Sequence, residues 1–449
     1  MANTLEWTNA FSGRVTASDL DPFNARCAEM ATRLAAEIPA GKLPFLNLPF
    51  RADLEKGLAE LAPRLSGFRH MLLLGIGGSA LGARALQKAF FPQQDQPCHN
   101  GPWLWIADNV DAASLEALFT KLPPAETVVV VVSKSGDTIE TIGQYFLAAQ
   151  WLQQAMGERW AEHLVFITDA VKGYLRELAV KLDVPTLPVP DNLGGRYSAL
   201  SAVGMVPAKF LGLDCEGLLR GAQAANSALC GGGLSAETLA GHPAWRLAVW
   251  NRALMAKGYS QLIFFSYIPH WACFGAWFNQ LWAESLGKGG NGTMPLPAVG
   301  VTDQHSLQQM FLDGPRDKGC LFLTCPTLPH GRPFPQDLPE VWAYLRGVPF
   351  GALLQAEGLG TQMALASSPT PMVELRMAAD GTENAGRLMG LLEATTLLTG
   401  WLLDINPLDQ PAVELGKRLA KARLGAEGYA EEKAQLAAFL QAPALSMEF

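Results

Sequence analysis

Val128-Val129-Val130-Val131-Val132-Ser133-Lys134-Ser135-Gly136-Asp137-Thr138-Ile139-Glu140-Thr141 changes character at one residue, Ser133. A strand with one face in water alternates apolar and polar residues. An unbroken valine run instead describes a strand buried on both faces, as in a parallel sheet covered by helices. Ser133, Ser135 and Thr138 then place hydroxyls and free N–H groups where a helix begins, with Gly136 inside the turn. That set suits the oxygens of a terminal phosphate monoester, and a dinucleotide pyrophosphate does not need it. Asp137 and Glu140 also fit a variant capping box, which accounts for those two residues but not for the hydroxyls.

Outward from this turn, short apolar runs at 70–74, 103–107, 164–168 and 184–189 alternate with helix-length segments. After a helical stretch over 216–257 the alternation resumes with strands expected at 261–268, 298–302, 321–325 and 372–377. The fold class is therefore α/β, with two parallel-sheet domains in tandem. The expected divisions are a helical or irregular segment at 1–60, a first domain at 61–215, a second at 216–408 and a C-terminal tail at 409–449. The Pro- and Gly-rich stretch 326–349 is expected to be a long surface connection, and 409–424 has helical spacing that stops at Gly425.

The chain has 449 residues, a formal charge of −8 and only 17% charged residues, which argues against a general nucleic-acid binder. No apolar run approaches a membrane span, and the N-terminus does not read as a secretory signal. Seven scattered cysteines, none in a Cys-x-x-Cys pair, suit reduced thiols in a cytoplasm, and seven scattered histidines show no metal-ligand spacing.

In parallel sheets ligands bind beyond the carboxyl ends of the strands. The turn after the first strand is Gly75-Ile76-Gly77-Gly78-Ser79-Ala80, whose glycines let backbone N–H groups approach an anion. Gly75, Gly77 and Ala80 also satisfy a relaxed dinucleotide fingerprint, but Asp108, the nearest candidate for a ribose, lies too far along. Arg196, between Gly195 and Tyr197, offers a permanent fork-shaped charge for a developing oxyanion, or a loop salt bridge. Gln280 and Glu284 share a helix face among Trp277, Leu281 and Trp282, a desolvating setting that suits a general base, although a solvated helix-end acid has the same spacing. His305 follows a short strand and suits a proton shuttle or an ordinary surface position. Gln410 and Lys417 share one face of the last helix, as any amphipathic helix allows.

Gly75-Ile-Gly-Gly-Ser79, Ser133-Lys-Ser-Gly-Asp-Thr-Ile-Glu-Thr141, Gly194-Gly-Arg-Tyr-Ser198, Glu284-Ser-Leu-Gly-Lys288, Asp303-Gln-His305 and Val413-Glu-Leu-Gly-Lys417 together resemble the phosphoglucose isomerase family in its short bacterial form, in family order. The resemblance runs from about Gly75 to Leu424 and implies two sugar-isomerase domains. It implies interconversion of glucose 6-phosphate and fructose 6-phosphate through a cis-enediol, in glycolysis and gluconeogenesis, with no metal or organic cofactor. By motif, Gly78, Ser79, Ser133, Lys134, Ser135 and Thr138 would hold the phosphate. Glu284 would be the base, Arg196 would stabilise the enediolate, and His305 and Lys417 would open the sugar ring. Glu140 would orient the histidine, and Gln280 and Gln410 would line the pocket.

The resemblance further implies a cytoplasmic homodimer whose sites each borrow His305 from the neighbouring subunit, with a phosphorylated hexose as substrate and neither nucleic acid nor membrane as partner. Leu286 departs from the Asn common in the family, which leaves room for a broader substrate range. The alternatives are a phosphoglucose/phosphomannose isomerase, a non-enzymatic phosphosugar sensor, and, on the first glycine turn alone, a nicotinamide-dependent dehydrogenase.

Overall fold

A computed structural model describes residues 2–96, 99–441 and 446–447. Cys98, counted above among the reduced thiols, lies outside the described residues. Among the described residues the ten strands are β1 (Thr4–Glu6), β2 (His70–Leu74), β3 (Trp103–Ala107), β4 (Thr127–Val132), β5 (Leu164–Thr168), β6 (Thr186–Pro188), β7 (Gln261–Ser266), β8 (Met294–Val299), β9 (Lys318–Thr324) and β10 (Met372–Arg376). They form two five-stranded sheets, ordered β3-β2-β4-β5-β6 and β1-β10-β9-β7-β8. The first sheet is parallel throughout. The second is parallel apart from β1, which pairs antiparallel with β10. The N-terminal segment, expected to be helical or irregular, thus also supplies an edge strand.

Every residue of β4 is fully buried, as a valine run with helices on both faces requires. On one face Val129 and Val131 join Leu72, Leu74 and Phe166 and pack against Tyr145, Ala148 and Leu152 of the helix Ile139–Met156. The second sheet has an equivalent layer in which Ile263, Phe265, Cys320 and Phe322 pack with Leu365.

β9 begins at Lys318 rather than at 321, β7 and β10 stop at Ser266 and Arg376, and two further strands differ from the expected ranges because of proline. β8 begins at Met294 rather than at 298, and its sequence Met-Pro-Leu-Pro-Ala-Val hides a strand from propensity. Its place at a sheet edge resolves the conflict, since a proline's missing N–H is tolerated where no second neighbour needs it. β6 pairs only over Thr186–Pro188, with Asp183 in a left-handed turn before it (φ 54°) and Pro185 and Pro190 flanking it.

One compact unit ends at Pro407 and a second begins at Leu408. Both sheets belong to the first. The second holds the helix Glu414–Arg423, which stops before Gly425 (φ 89°), and a further helix, Ala430–Gln441. These two helices pack together, and Arg418 reaches the buried Glu432 carboxylate. Among the described residues no helix is long and apolar enough to cross a membrane.

Candidate active site

The chain leaves β2 for β3 on one side and later runs from β4 to β5 on the other, so the winding reverses between β2 and β4 and opens a crevice at their carboxyl ends. Both phosphate-type turns flank that crevice. After β2, Gly77 (φ +56°) begins a short helical turn, Gly77–Ser79, before the helix Leu81–Phe90. After β4, Ser133 is buried and its Oγ lies 2.9 Å from the Oγ1 of Thr138, the residue that precedes the helix Ile139–Met156 and whose hydroxyl makes no capping bond to it. Ser135 Oγ accepts from the Asp137 N–H (3.2 Å), and Gly136 (φ +72°) takes the left-handed step that a side chain would resist. The helix N-terminus and the turn amides thus face the crevice together. Lys134 is half-buried. Burial pushes its ammonium below the ordinary lysine range, while the carboxylates of Asp191 and Asp169 oppose that shift.

The third turn, Gly195–Tyr197, follows β6 and is locked to the first. A Cβ on Gly78 would lie 2.1 Å from the Gly195 carbonyl carbon, and Ser198 Oγ donates to Gly78 O (3.3 Å). This close approach is what the Gly-Gly pairs permit. It sets Arg196, whose side chain is 1% exposed, against the helix Ala272–Leu286. Arg196 Nη1 lies 3.3 Å from Glu284 Oε1, Nε donates to Ser285 Oγ (2.7 Å), and Nη2 donates to Pro407 O (2.7 Å). Gln280 Nε2 donates to Glu284 Oε2 (3.1 Å), and a Cβ on Gly77 would sit 3.0 Å from that same nitrogen. Glu284 keeps a 25% exposed side chain, so it is gripped from two sides and open on the third.

One chain therefore gathers Gly78, Ser79, Arg196, Gln280 and Glu284, with Ser133, Lys134, Ser135 and Thr138 across the crevice from the first turn. Glu140 is half-buried in the first turn of the helix that Thr138 precedes. His305 lies elsewhere. The helix Ala272–Leu286 runs back from the carboxyl end of β7, and the span from Ala272 to Glu284 covers about 18 Å of helix axis. Glu284 is thereby carried to the end where β7 and β8 start, whereas His305, exposed, follows the opposite end of β8. Gln410 and Lys417 belong to the second unit but not to one helix, contrary to expectation: Gln410 precedes the short turn Pro411–Val413, which interrupts the helical spacing, and Lys417 lies in Glu414–Arg423, where its Nζ pairs with Glu414 Oε1 at 2.8 Å. Asp108 is held by Arg84 at 2.9 Å, an ion pair that occupies the acid considered for a ribose.

The motif reading assigned nothing to Ser285 or Tyr197, yet both belong to the Arg196 network: Tyr197 Oη lies 3.1 Å from Ser285 Oγ. The only signal in the sequence was their adjacency to Arg196 and Glu284. Among the described residues no group of three or more His, Cys, Asp or Glu is placed to hold a metal ion.

The phosphoglucose isomerase family profile matches residues 64–316. A glucose-6-phosphate isomerase of Rubrobacter xylanophilus is 38% identical over 93% of this chain and 96% of its own. One from Carboxydothermus hydrogenoformans is 32% identical over the whole of both chains. The crystal structure of a glucose-6-phosphate isomerase from Chlamydia trachomatis superposes with a TM-score of 0.77, covering 98% of this chain and 92% of that one, and at 22% identity it bears on the fold alone. The family profile and these full-length relatives place the chain in the phosphoglucose isomerase family.

Proposed function

We propose that the chain interconverts glucose 6-phosphate and fructose 6-phosphate, and that it does so as an aldose-ketose isomerase of glycolysis and gluconeogenesis. The observation that carries this is the contact of Arg196 Nη1 with Glu284 Oε1 at 3.3 Å, at the mouth of the hydroxyl-rich crevice. Moving a proton between neighbouring carbons needs a carboxylate beside the C–H and a cation beside the oxygen that gains charge, and this pair supplies both. With the phosphate held by Ser79, Ser133, Ser135, Thr138 and the N–H groups of Gly78 and Lys134, Glu284 removes the C2 proton of the open aldose. The C1 oxygen takes up the electron pair and, on protonation, gives the cis-enediol. Loss of the C2 hydroxyl proton and return of the carried proton to C1 complete the ketose. Binding at the remote phosphate supplies energy that fixes the reacting carbons. Gln280 steadies the base, and on the family motifs His305 and Lys417 open the ring, Glu140 orients the histidine and Gln410 lines the pocket.

The proposal includes a homodimer in which His305 completes the neighbour's site. Two observations support it. Glu284 and His305 lie toward opposite ends of β8 in one chain, and Met310, Leu359 and Met363 are exposed on the helices packed near the His305 turn. The parallel strands of each sheet with their helices then serve as one sugar-isomerase domain, 61–215 and 216–408, the second extended at its edge by β1 from the N-terminal segment, with 409–449 as the tail. The described cysteines, Cys27, Cys215, Cys230, Cys273, Cys320 and Cys325, are free thiols, which suits the cytoplasm as the proposed compartment.

A coupled assay for glucose 6-phosphate formed from fructose 6-phosphate tests the reading, with a chelator arm and with mannose 6-phosphate as second substrate. Turnover of fructose 6-phosphate that survives chelation is expected. Folded protein that binds a phosphosugar without turning it over would overturn the catalytic reading in favour of a sensor.

A further inference from the structure

Arg196 is buried, and each of its three nitrogens has a distinct partner: Ser285 Oγ at Nε, Glu284 Oε1 at Nη1 and Pro407 O at Nη2. A guanidinium is planar, so fixing Nε and Nη2 leaves Nη1 no freedom. Ser285 is the neighbour of Glu284 on the same helical turn, so one backbone segment presents the base and also anchors the cation that works with it. Ser285 is fully buried, and its Oγ sits 3.1 Å from Tyr197 Oη. Tyr197 in turn lies fully buried against Phe45 at a ring separation of 4.4 Å. Burial pushes the Tyr197 phenol up to about 12, which keeps its proton in place to hydrogen-bond. The segment is pinned further along by Lys288, whose Nζ donates to Ser285 O (3.0 Å) and Asn406 O (2.5 Å).

We propose that Ser285, held in turn by Tyr197, is the positioning residue that sets the Arg196 guanidinium against the Glu284 carboxylate. This rests on the proposed proton transfer by Glu284. Neither Ser285 nor Tyr197 touches the reacting carbons in that scheme. Their effect is on the alignment of Arg196, which matters in the step that develops charge and little in holding the phosphate across the crevice. Loss of alignment therefore shows in kcat rather than in KM, since misplacing a charge-stabilising group by about 1 Å is enough to cost roughly a hundredfold.

The test is steady-state kinetics on Ser285→Ala and Tyr197→Phe, with Glu284→Gln as the reference and with melting temperatures and dimer content recorded for each. Ser285→Ala is expected to lower kcat at least about tenfold with KM within about threefold of the parent. Tyr197→Phe should move the same way by less, and Ser285→Thr, which restores the hydroxyl, should recover part of the loss. A folded Ser285→Ala protein with parental kcat overturns the positioning role. If that variant does not fold, Tyr197→Phe decides alone, and an unchanged kcat there overturns the role. Near-parental turnover by Glu284→Gln would instead remove the base, and with it the reading on which the role depends.

Discussion

The two sheets are wound alike, each reversing beside its first parallel strand, between β2 and β4 in one and between β7 and β9 in the other. Their carboxyl ends nevertheless differ in what they can hold. In the first, β2 and β4 each end in glycines and hydroxyls that lead directly into a helix, so free N–H groups and a helix N-terminus converge on the crevice. In the second, β7 ends in Tyr267-Ile268-Pro269, and β9 runs into Cys325-Pro326-Thr327-Leu328-Pro329 with no helix directly behind it. A cleft of about 330 Å³ remains there, lined by Tyr267, Thr324, Cys325, Leu354, Gly358 and Glu374 among others. Its arginine, Arg376, is already paired with Glu374 at 3.1 Å, so the charge that would draw an anion is met at home. Winding places a cleft in both domains, and the residues of the turns decide which cleft suits a phosphate. The second domain contributes through the far end of one helix, where Gln280 and Glu284 reach the other domain's turns.

The sharpest way to break this division is Glu284→Gln. It keeps the Gln280 and Arg196 neighbours and removes only the proton acceptor. Turnover should fall at least about a hundredfold with substrate binding little changed. Steady-state kinetics check it, and near-normal kcat would mean that the helix end is not where the second domain acts.

Mixing protomers asks where that domain's other contribution goes. If His305 completes the neighbour's site, an equal mixture of Glu284→Gln and His305→Ala protomers contains heterodimers with one intact site and one doubly defective site. Random exchange then restores about a quarter of parental activity from two nearly inactive parents. A mixture no more active than its parents would put both residues in one chain's site, contrary to their placement at opposite ends of β8.

The contrast between the carboxyl ends themselves is tested in KM. Alanine at any two of Ser133, Ser135 and Thr138 should raise KM by about tenfold or more, given that hydrogen bonds to a charged group contribute roughly 1.5–3 kcal/mol each. The matching change in the second sheet, Thr324→Ala, should leave KM where it is. Equal effects in both clefts would erase the distinction.

Much of this was legible in the chain. The valine run, the alternation around it and the motifs announced the parallel sheets and the glycine- and hydroxyl-rich turns beside the crevice, because each depends on local periodicity or on a turn that only certain residues can make. What stayed hidden depends on partners distant in sequence. Pro295 and Pro297 are poor strand residues until β8 is known to be an edge. Thr4–Glu6 has no reason to be a strand until β10 is beside it. Ser285 looked like a spacer in a motif, and its role became visible only when the fold brought Arg196 to it across 89 positions. Glu393 carried no signal at all, since a glutamate in a helix is ordinarily a solvated one.

Glu393 supplies an effect on stability rather than on turnover, and the one most specific to the helices that pack against the Glu284 helix. It lies on Thr382–Leu402, fully buried, with neither carboxylate oxygen hydrogen-bonded. Burial holds its carboxyl well above the usual range, in the neutral acid form. The folded state therefore keeps a proton that the unfolded chain releases once the pH passes the ordinary glutamate value of 4.5. Stability from this group is complete below that pH and declines as the pH rises toward the folded-state value, by at most about 1.4 kcal/mol per pH unit. Glu393→Gln has nearly the same shape and no proton to lose, so its melting temperature should gain on the parent's as the pH is raised from about 5 to about 8. Calorimetric scans of the two proteins across that range provide the comparison. A gap that stays flat would show that Glu393 ionises in the folded state, and that a partner for its charge is provided within the helical layer after all.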